Sequence, residues 1–111
     1  FIWNWQSNAF GWTSVLGHKP VMDSAPAEAV PARAADLGGL PPTWIGVGTL
    51  DLVAQEAMSF AARLMEAGVP VEMSVVPGAY HGFDAMVPQA RISADFIVGW
   101  KSALGRMLST D

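Results

Sequence analysis

The chain has 111 residues, a net charge of −4, 51% hydrophobic and only 14% charged residues. That length allows one domain, and its six Lys and Arg are scattered, so no basic face exists for nucleic acid. With no cysteine there is no disulfide, no thiolate zinc site and no cysteine nucleophile, which suits a reducing compartment and predicts the cytoplasm.

No stretch reaches the roughly 18 consecutive apolar residues of a membrane helix. Residues 1–17 lack a basic n-region and do not read as a signal peptide. The first residue is Phe1, not Met, which reads as a clipped or partial start.

Phe1, Trp5, Trp12 and Leu16 recur at helical spacing, with Ala9 between them. This predicts an amphipathic helix ending near Gly17 and Pro20, its tryptophans serving core or interface packing. Residues 20–42 hold five of the eight prolines and predict a long ordered connection or a short-helix segment, not a strand. Pro41-Pro42 forces extended backbone and leads into Trp44-Ile45-Gly46-Val47-Gly48, a buried strand. The glycines there do not have the spacing of a dinucleotide fingerprint.

A helix is predicted from about Val53 to Ala67, with Val53, Ala57, Phe60, Ala61 and Leu64 on one face. Gly68 is a suitable stop and Pro70 prevents continuation. Val71–Val76 reads as a second strand. Strand, helix, strand in so short a span predicts a βαβ unit with parallel strands. A last helix is predicted from about Pro88 to Leu108, with Ile92, Phe96, Trp100 and Leu104 four apart. The fold class is therefore α/β.

Two residues stand where such a sheet places chemistry. Asp51 follows the first strand and His81 the second, and parallel α/β sheets bind ligands beyond the carboxyl ends of their strands. An acid and a later histidine at neighbouring strand ends have the order of the last two members of a Ser-Asp-His triad. Asp51 would fix one imidazole nitrogen and leave the other as general base. Spacing alone fits a plainer reading equally: Asp51 as a cap of the helix that follows it, His81 as a turn residue. A metal site built from His18, Asp51, His81 and Asp84 is disfavoured, because no pair has helical ligand spacing. Met73, Phe83 and Met86 could line an acyl pocket, although core filling is their commoner use. Phe83 is singled out as a substrate-binding candidate because it lies two residues from His81.

Five segments occur in a fixed order: Phe10-Gly11-Trp12-Thr13-Ser14-Val15-Leu16-Gly17, Leu40-Pro41-Pro42-Thr43-Trp44-Ile45, Gly48-Thr49-Leu50-Asp51-Leu52, Ala67-Gly68-Val69-Pro70-Val71 and His81-Gly82-Phe83. Together they resemble the C-terminal portion of the hormone-sensitive-lipase-like branch of the α/β-hydrolases. The resemblance covers almost the whole chain. It implies that residues 1–111 are part of an α/β-hydrolase domain, with Asp51 the triad acid and His81 the triad base. The implied activity is hydrolysis of carboxylic esters of short or medium acyl chains, without a cofactor. The nucleophile segment Gly-x-Ser-x-Gly and the His-Gly-Gly oxyanion segment of such enzymes are absent. None of the serines at 7, 14, 24, 59, 74, 93, 102 and 109 has the glycine flanks. The family often has Asp-Glu shortly after the acid; here Gln55 departs from that pattern and Glu56 keeps it.

The composition agrees with a fragment. A domain this small cannot easily bury so much apolar surface, and two parallel strands alone do not make a stable sheet. The chain by itself is expected to lack esterase activity. It is also expected to form a homo-oligomer through an exposed edge at 71–76, where Glu72 is the only charge. The alternative reading is a non-catalytic α/β domain serving oligomerisation or interaction.

Overall fold

The computed structural model describes residues 2–21, 26 and 28–109. Phe1, the first residue of the expected helical stripe, and Ser24 lie outside the described residues.

The first helix, α1 (Trp5–Leu16), begins where Asn4 caps it: the Asn4 side chain accepts from the Ser7 N–H at 2.9 Å. It ends at Gly17, whose φ of 74° lets the chain leave in the left-handed region. The helix buries no residue, and Trp5, Phe10 and Val15 are exposed. Of the two uses expected for the tryptophans, core or interface packing, Trp5 does not have the first within this chain.

The described part of the proline-rich connection holds one short 3₁₀ turn, Pro31–Arg33. It is anchored from two sides. Val30 and Leu37 are buried, and the Arg63 guanidinium donates to the carbonyls of Ala32 and Ala34.

Strand β1 (Thr43–Gly48) then pairs in parallel with β2 (Val71–Val76), from Thr43 opposite Val71 to Gly48 opposite Val76. Helix α2 (Ala54–Glu66) connects them and buries Ala54, Ala61 and Leu64. Beyond its last turn, Gly68 adopts φ 79°. Its N–H bonds to the Met65 carbonyl at 3.0 Å, and the Val69 N–H bonds to the Leu64 carbonyl at 3.0 Å. Side chains alternate across a strand, and the two faces of β1 differ accordingly. Ile45 packs with Leu37, Leu64 and Val69 below α2. Trp44, on the other face, packs edge-on against Phe96 with ring centres 5.3 Å apart.

Phe96 belongs to α4 (Arg91–Leu108), which follows a four-residue helix α3 (Phe83–Met86). The predicted stripe Ile92, Phe96, Trp100, Leu104 does not describe the buried side of α4. Ser93 and Ala103 are buried, while Ile92 and Leu104 are exposed. With 3.6 residues per turn, steps of four advance by about 40° each, so three steps carry the stripe roughly 120° around the axis. Small residues also permit closer approach: the buried Ser93 hydroxyl donates to the Phe83 carbonyl at 3.4 Å. Among the described residues no helix is long and apolar enough to cross a membrane.

Candidate functional site

The site is built by two turns beyond the carboxyl ends of β1 and β2. Parallel pairing brings Gly48 and Val76 side by side, and hydrogen bonds continue across the gap after the strands end. The Thr49 N–H donates to the Val76 carbonyl at 3.0 Å, and the Leu50 N–H donates to the Ala79 carbonyl at 3.0 Å. The Gly78 N–H donates to Thr49 Oγ1 at 2.8 Å. Glycine is needed at position 48 because a Cβ there would collide with the Ala79 carbonyl and Cβ. Gly78 and Gly82 both adopt φ near 70°, a region open to glycine without steric cost.

These turns bring Asp51 and His81 together. His81 Nδ1 lies 2.8 Å from Asp51 Oδ2. The Asp51 side chain is only 8% exposed, and that of His81 is 43% exposed. Asp51 also accepts the Val53 N–H on Oδ1 at 3.1 Å. The expected role as helix cap is not the one Asp51 has: the cap position of α2 is Val53, without a side-chain cap bond, and Asp51 holds the turn two residues before it. One oxygen serves that turn and the other meets the imidazole. An ionised carboxylate only accepts hydrogen bonds, so this contact calls for the proton on Nδ1 and leaves a lone pair on Nε2. The arrangement can take a proton from a hydroxyl and return it to a leaving group.

His81 has a second partner. The indole of Trp3 stacks on its ring with centroids 5.5 Å apart and planes 25° from parallel. The sequence pattern reads the tryptophans as packing residues and does not associate Trp3 with the site. No local pattern joins residues 78 positions apart, so only the fold shows the contact.

Phe83 points away from this surface. It is buried with Val76 and Ala79, and its ring lies 4.9 Å from that of Phe96. The positive φ at Gly82 turns the chain so that the residue after it enters the core. His18 lies in an exposed turn with Nδ1 3.0 Å from the Lys19 carbonyl. Among the described residues no three His, Asp or Glu side chains gather where they could hold a metal ion.

No described serine hydroxyl is hydrogen-bonded to His81. Ser14 donates to the Phe10 carbonyl, Ser93 to Phe83, and Ser102 accepts from Arg106. An open apolar groove lined by Pro42, Thr43, Trp44, Trp100, Leu104 and Met107 lies at the amino end of β1. Five strand steps, about 16 Å, separate that end of β1 from the end that carries the dyad. The groove is therefore not the site.

Comparison with known proteins agrees with this architecture. Residues 1–85 match a family model described as alpha/beta hydrolase fold. Esterase LipI of Mycobacterium tuberculosis is 36% identical over 73 residues, which cover 62% of this chain and 22% of LipI. The structure of esterase LipW from Mycobacterium marinum superposes with a TM-score of 0.83 at 31% identity, covering 92% of this chain and 31% of LipW. A bacterial heroin esterase superposes with a TM-score of 0.77 at 36% identity, covering 83% of this chain and 29% of that enzyme. The chain thus spans less than a third of the length of each of these relatives.

Proposed function

The chain belongs to the alpha/beta hydrolase fold family, in its hormone-sensitive-lipase-like branch, and from that membership we propose that it supplies the acid and base of a carboxylic-ester hydrolase. Asp51 is the acid and His81 the base. The nucleophilic serine and the oxyanion donors come from polypeptide outside these 111 residues. The observation that carries this reading is the 2.8 Å contact between His81 Nδ1 and a carboxylate that is almost entirely buried.

In the reaction, His81 Nε2 takes the proton of the serine hydroxyl as its oxygen attacks the ester carbonyl. His81 then gives that proton to the leaving alkoxide, which departs as the alcohol and leaves an acyl-enzyme. Water repeats the sequence: His81 takes its proton, the acid is released, and serine recovers its hydrogen. Asp51 holds the tautomer and faces the imidazolium formed at each step. No cofactor takes part. The substrates we assign are small esters, in keeping with relatives named as esterases. In this reading Phe83 supports the His81 turn from below and does not line the acyl pocket. The cysteine-free composition suits the cytoplasm. Val75 on β2 is 41% exposed, and this edge is our candidate surface for self-association.

The test is hydrolysis of p-nitrophenyl esters by the enzyme that contains this chain. His81→Ala is expected to remove nearly all turnover. Asp51→Asn is expected to lower kcat by up to ~10⁴-fold, because the wrong tautomer is then favoured. The 111-residue chain alone is expected to be inactive. Near-normal kcat in Asp51→Asn would leave Asp51 with its bond to the Val53 N–H alone and end this assignment.

A further inference from the structure

We propose that Trp3 is a positioning residue for His81, holding the imidazole by its face while Asp51 holds it by its edge. The proposal rests on the reading of Asp51 and His81 as acid and base.

The imidazole is 43% exposed, and Asp51 grips it at one atom. A ring held by a single hydrogen bond can still pivot about that bond. Pivoting moves Nε2, the atom that must meet the serine hydroxyl. A flat partner on the ring face opposes that motion. The Trp3 indole is such a partner, with a centroid separation of 5.5 Å inside the 4.5–7 Å range of favourable aromatic pairs.

The indole is itself held. Trp3 Nε1–H donates to Asn8 Oδ1 at 3.2 Å. Gly11, one turn further along α1, presents only backbone to the indole: even an added Cβ there would lie 3.6 Å from the ring. The indole therefore lies along α1 over Asn8 and Gly11, and Asn4 caps that same end of the helix. This stack joins an otherwise unburied helix to the dyad.

The stack has a chemical consequence as well. When His81 carries the serine proton it is a cation, and an indole face attracts a cation more than it attracts a neutral ring. The contact thus strengthens as charge develops, which is the kind of interaction that raises kcat rather than merely tightening substrate binding.

The experiment uses the enzyme that contains this chain, labelled with ¹³C-histidine, with the His81 resonances assigned by their loss in His81→Gln. Trp3→Leu removes the stack. It is expected to lower kcat by roughly 2- to 10-fold, the range a stacked aromatic pair supports, with KM little changed. It should also move the His81 ring protons downfield as indole shielding is lost. Trp3→Phe keeps a face but loses the Asn8 bond and should restore most of both readouts. Should Trp3→Leu fail to fold, Asn8→Ala loosens the indole and should give the same changes in weaker form. Unmoved His81 resonances in a folded variant overturn the proposal. Moved resonances with unchanged kcat overturn it too, since the contact would then be only structural. Asp51→Asn separates the two levels. If it keeps full kcat, the acid–base reading falls and Trp3 with it. If it is inactive while Trp3→Leu behaves like the unsubstituted enzyme, Trp3 alone is wrongly assigned.

Discussion

The turns after β1 and β2 carry the Asp51–His81 pair and Trp3, just before helix α1, stacks on it, but the turns and the helix are held in opposite ways. The turns are cross-bonded: Thr49 to Val76, Leu50 to Ala79 and Gly78 to Thr49. Their anchor residues Gly48, Val76 and Ala79 are buried. Helix α1 is held by its own bonds. Asn4 caps it, Thr13 and Ser14 return their hydroxyls to the carbonyls of Ala9 and Phe10, and nothing on it is buried. Most helical stability in proteins comes from packing an apolar face, and a 12-residue helix alone is marginal in water. The contrast separates what this chain builds for itself from what it leaves for another surface to complete. The Asp51–His81 contact is built within it, and the apolar side of α1 is not covered by it.

The sharpest way to break this contrast is at Gly48. A methyl there meets the Ala79 backbone, which cannot swing aside like a flexible side chain. In the enzyme that contains this chain, Gly48→Ala should therefore spread the two turns, costing about 1–3 kcal/mol as overpacking usually does, and should lower ester turnover as the proposed dyad is pulled apart. Denaturant unfolding and p-nitrophenyl ester turnover on the same preparation would check both. A variant of full stability and full activity would mean that the turns tolerate the separation and that close stitching is not what sets the dyad.

Much of this region was legible beforehand because regular elements carry regular patterns. The strand expected at 71–76 spans Val71–Val76, and the helix expected at 53–67 spans Ala54–Glu66. Gly68 and Pro70 explain why α2 stops where it does. Asp51 and His81 were legible as a pair because parallel strands deliver their trailing loops to one end of the sheet. Other features had no periodic signal. The four residues of α3 are too few to show one, so α3 is not anticipated, and the helix expected from 88 is α4, which begins only at Arg91 after a turn at 87–90. The four-apart stripe on α4 named Ile92 and Leu104, which are exposed, and overlooked Ser93 and Ala103, which are buried. Phe83 looked like a pocket residue from its closeness to His81 in the chain. The left-handed Gly82 sends it into the core instead. Trp3 over His81 depends on the full three-dimensional path, which no short window contains.

A smaller effect is expected at Thr49. Its hydroxyl is exposed and receives the Gly78 N–H. Thr49→Val keeps the branched shape and removes the acceptor. The loss should be about 0.5–1.5 kcal/mol, the net value of one ordinary hydrogen bond. The freed N–H lies near solvent, so the low end of that range applies. Amide hydrogen exchange at Gly78 should speed up while exchange at Ile45 and Val47 in β1 does not. Unchanged exchange at Gly78 would show that the backbone bonds of Thr49 and Leu50 hold the turns without the side chain.

The smallest effect on folding is expected on α1, and it sharpens the comparison from the other side. Phe10 is 77% exposed, so replacing it removes almost no packing within the chain. Phe10→Ser should change unfolding free energy by no more than about 0.5 kcal/mol, the usual range for a surface position. The same change makes the outer side of α1 less apolar. If that side, together with the edge of β2, associates copies of the chain, sedimentation at micromolar concentration should shift toward the 11.8 kDa monomer in the variant. The reason both readouts are needed is that they fail differently. A large loss of stability with no change in assembly would place Phe10 in a packed interior, contrary to its exposure. A variant that neither destabilises nor dissociates would leave β2 as the surface that carries association, with Val75 exposed and Glu72 engaged by Arg106 at 2.5 Å. Substituting Val75→Lys in that background would then put the charge directly on the edge, where a strand from another copy would have to pair.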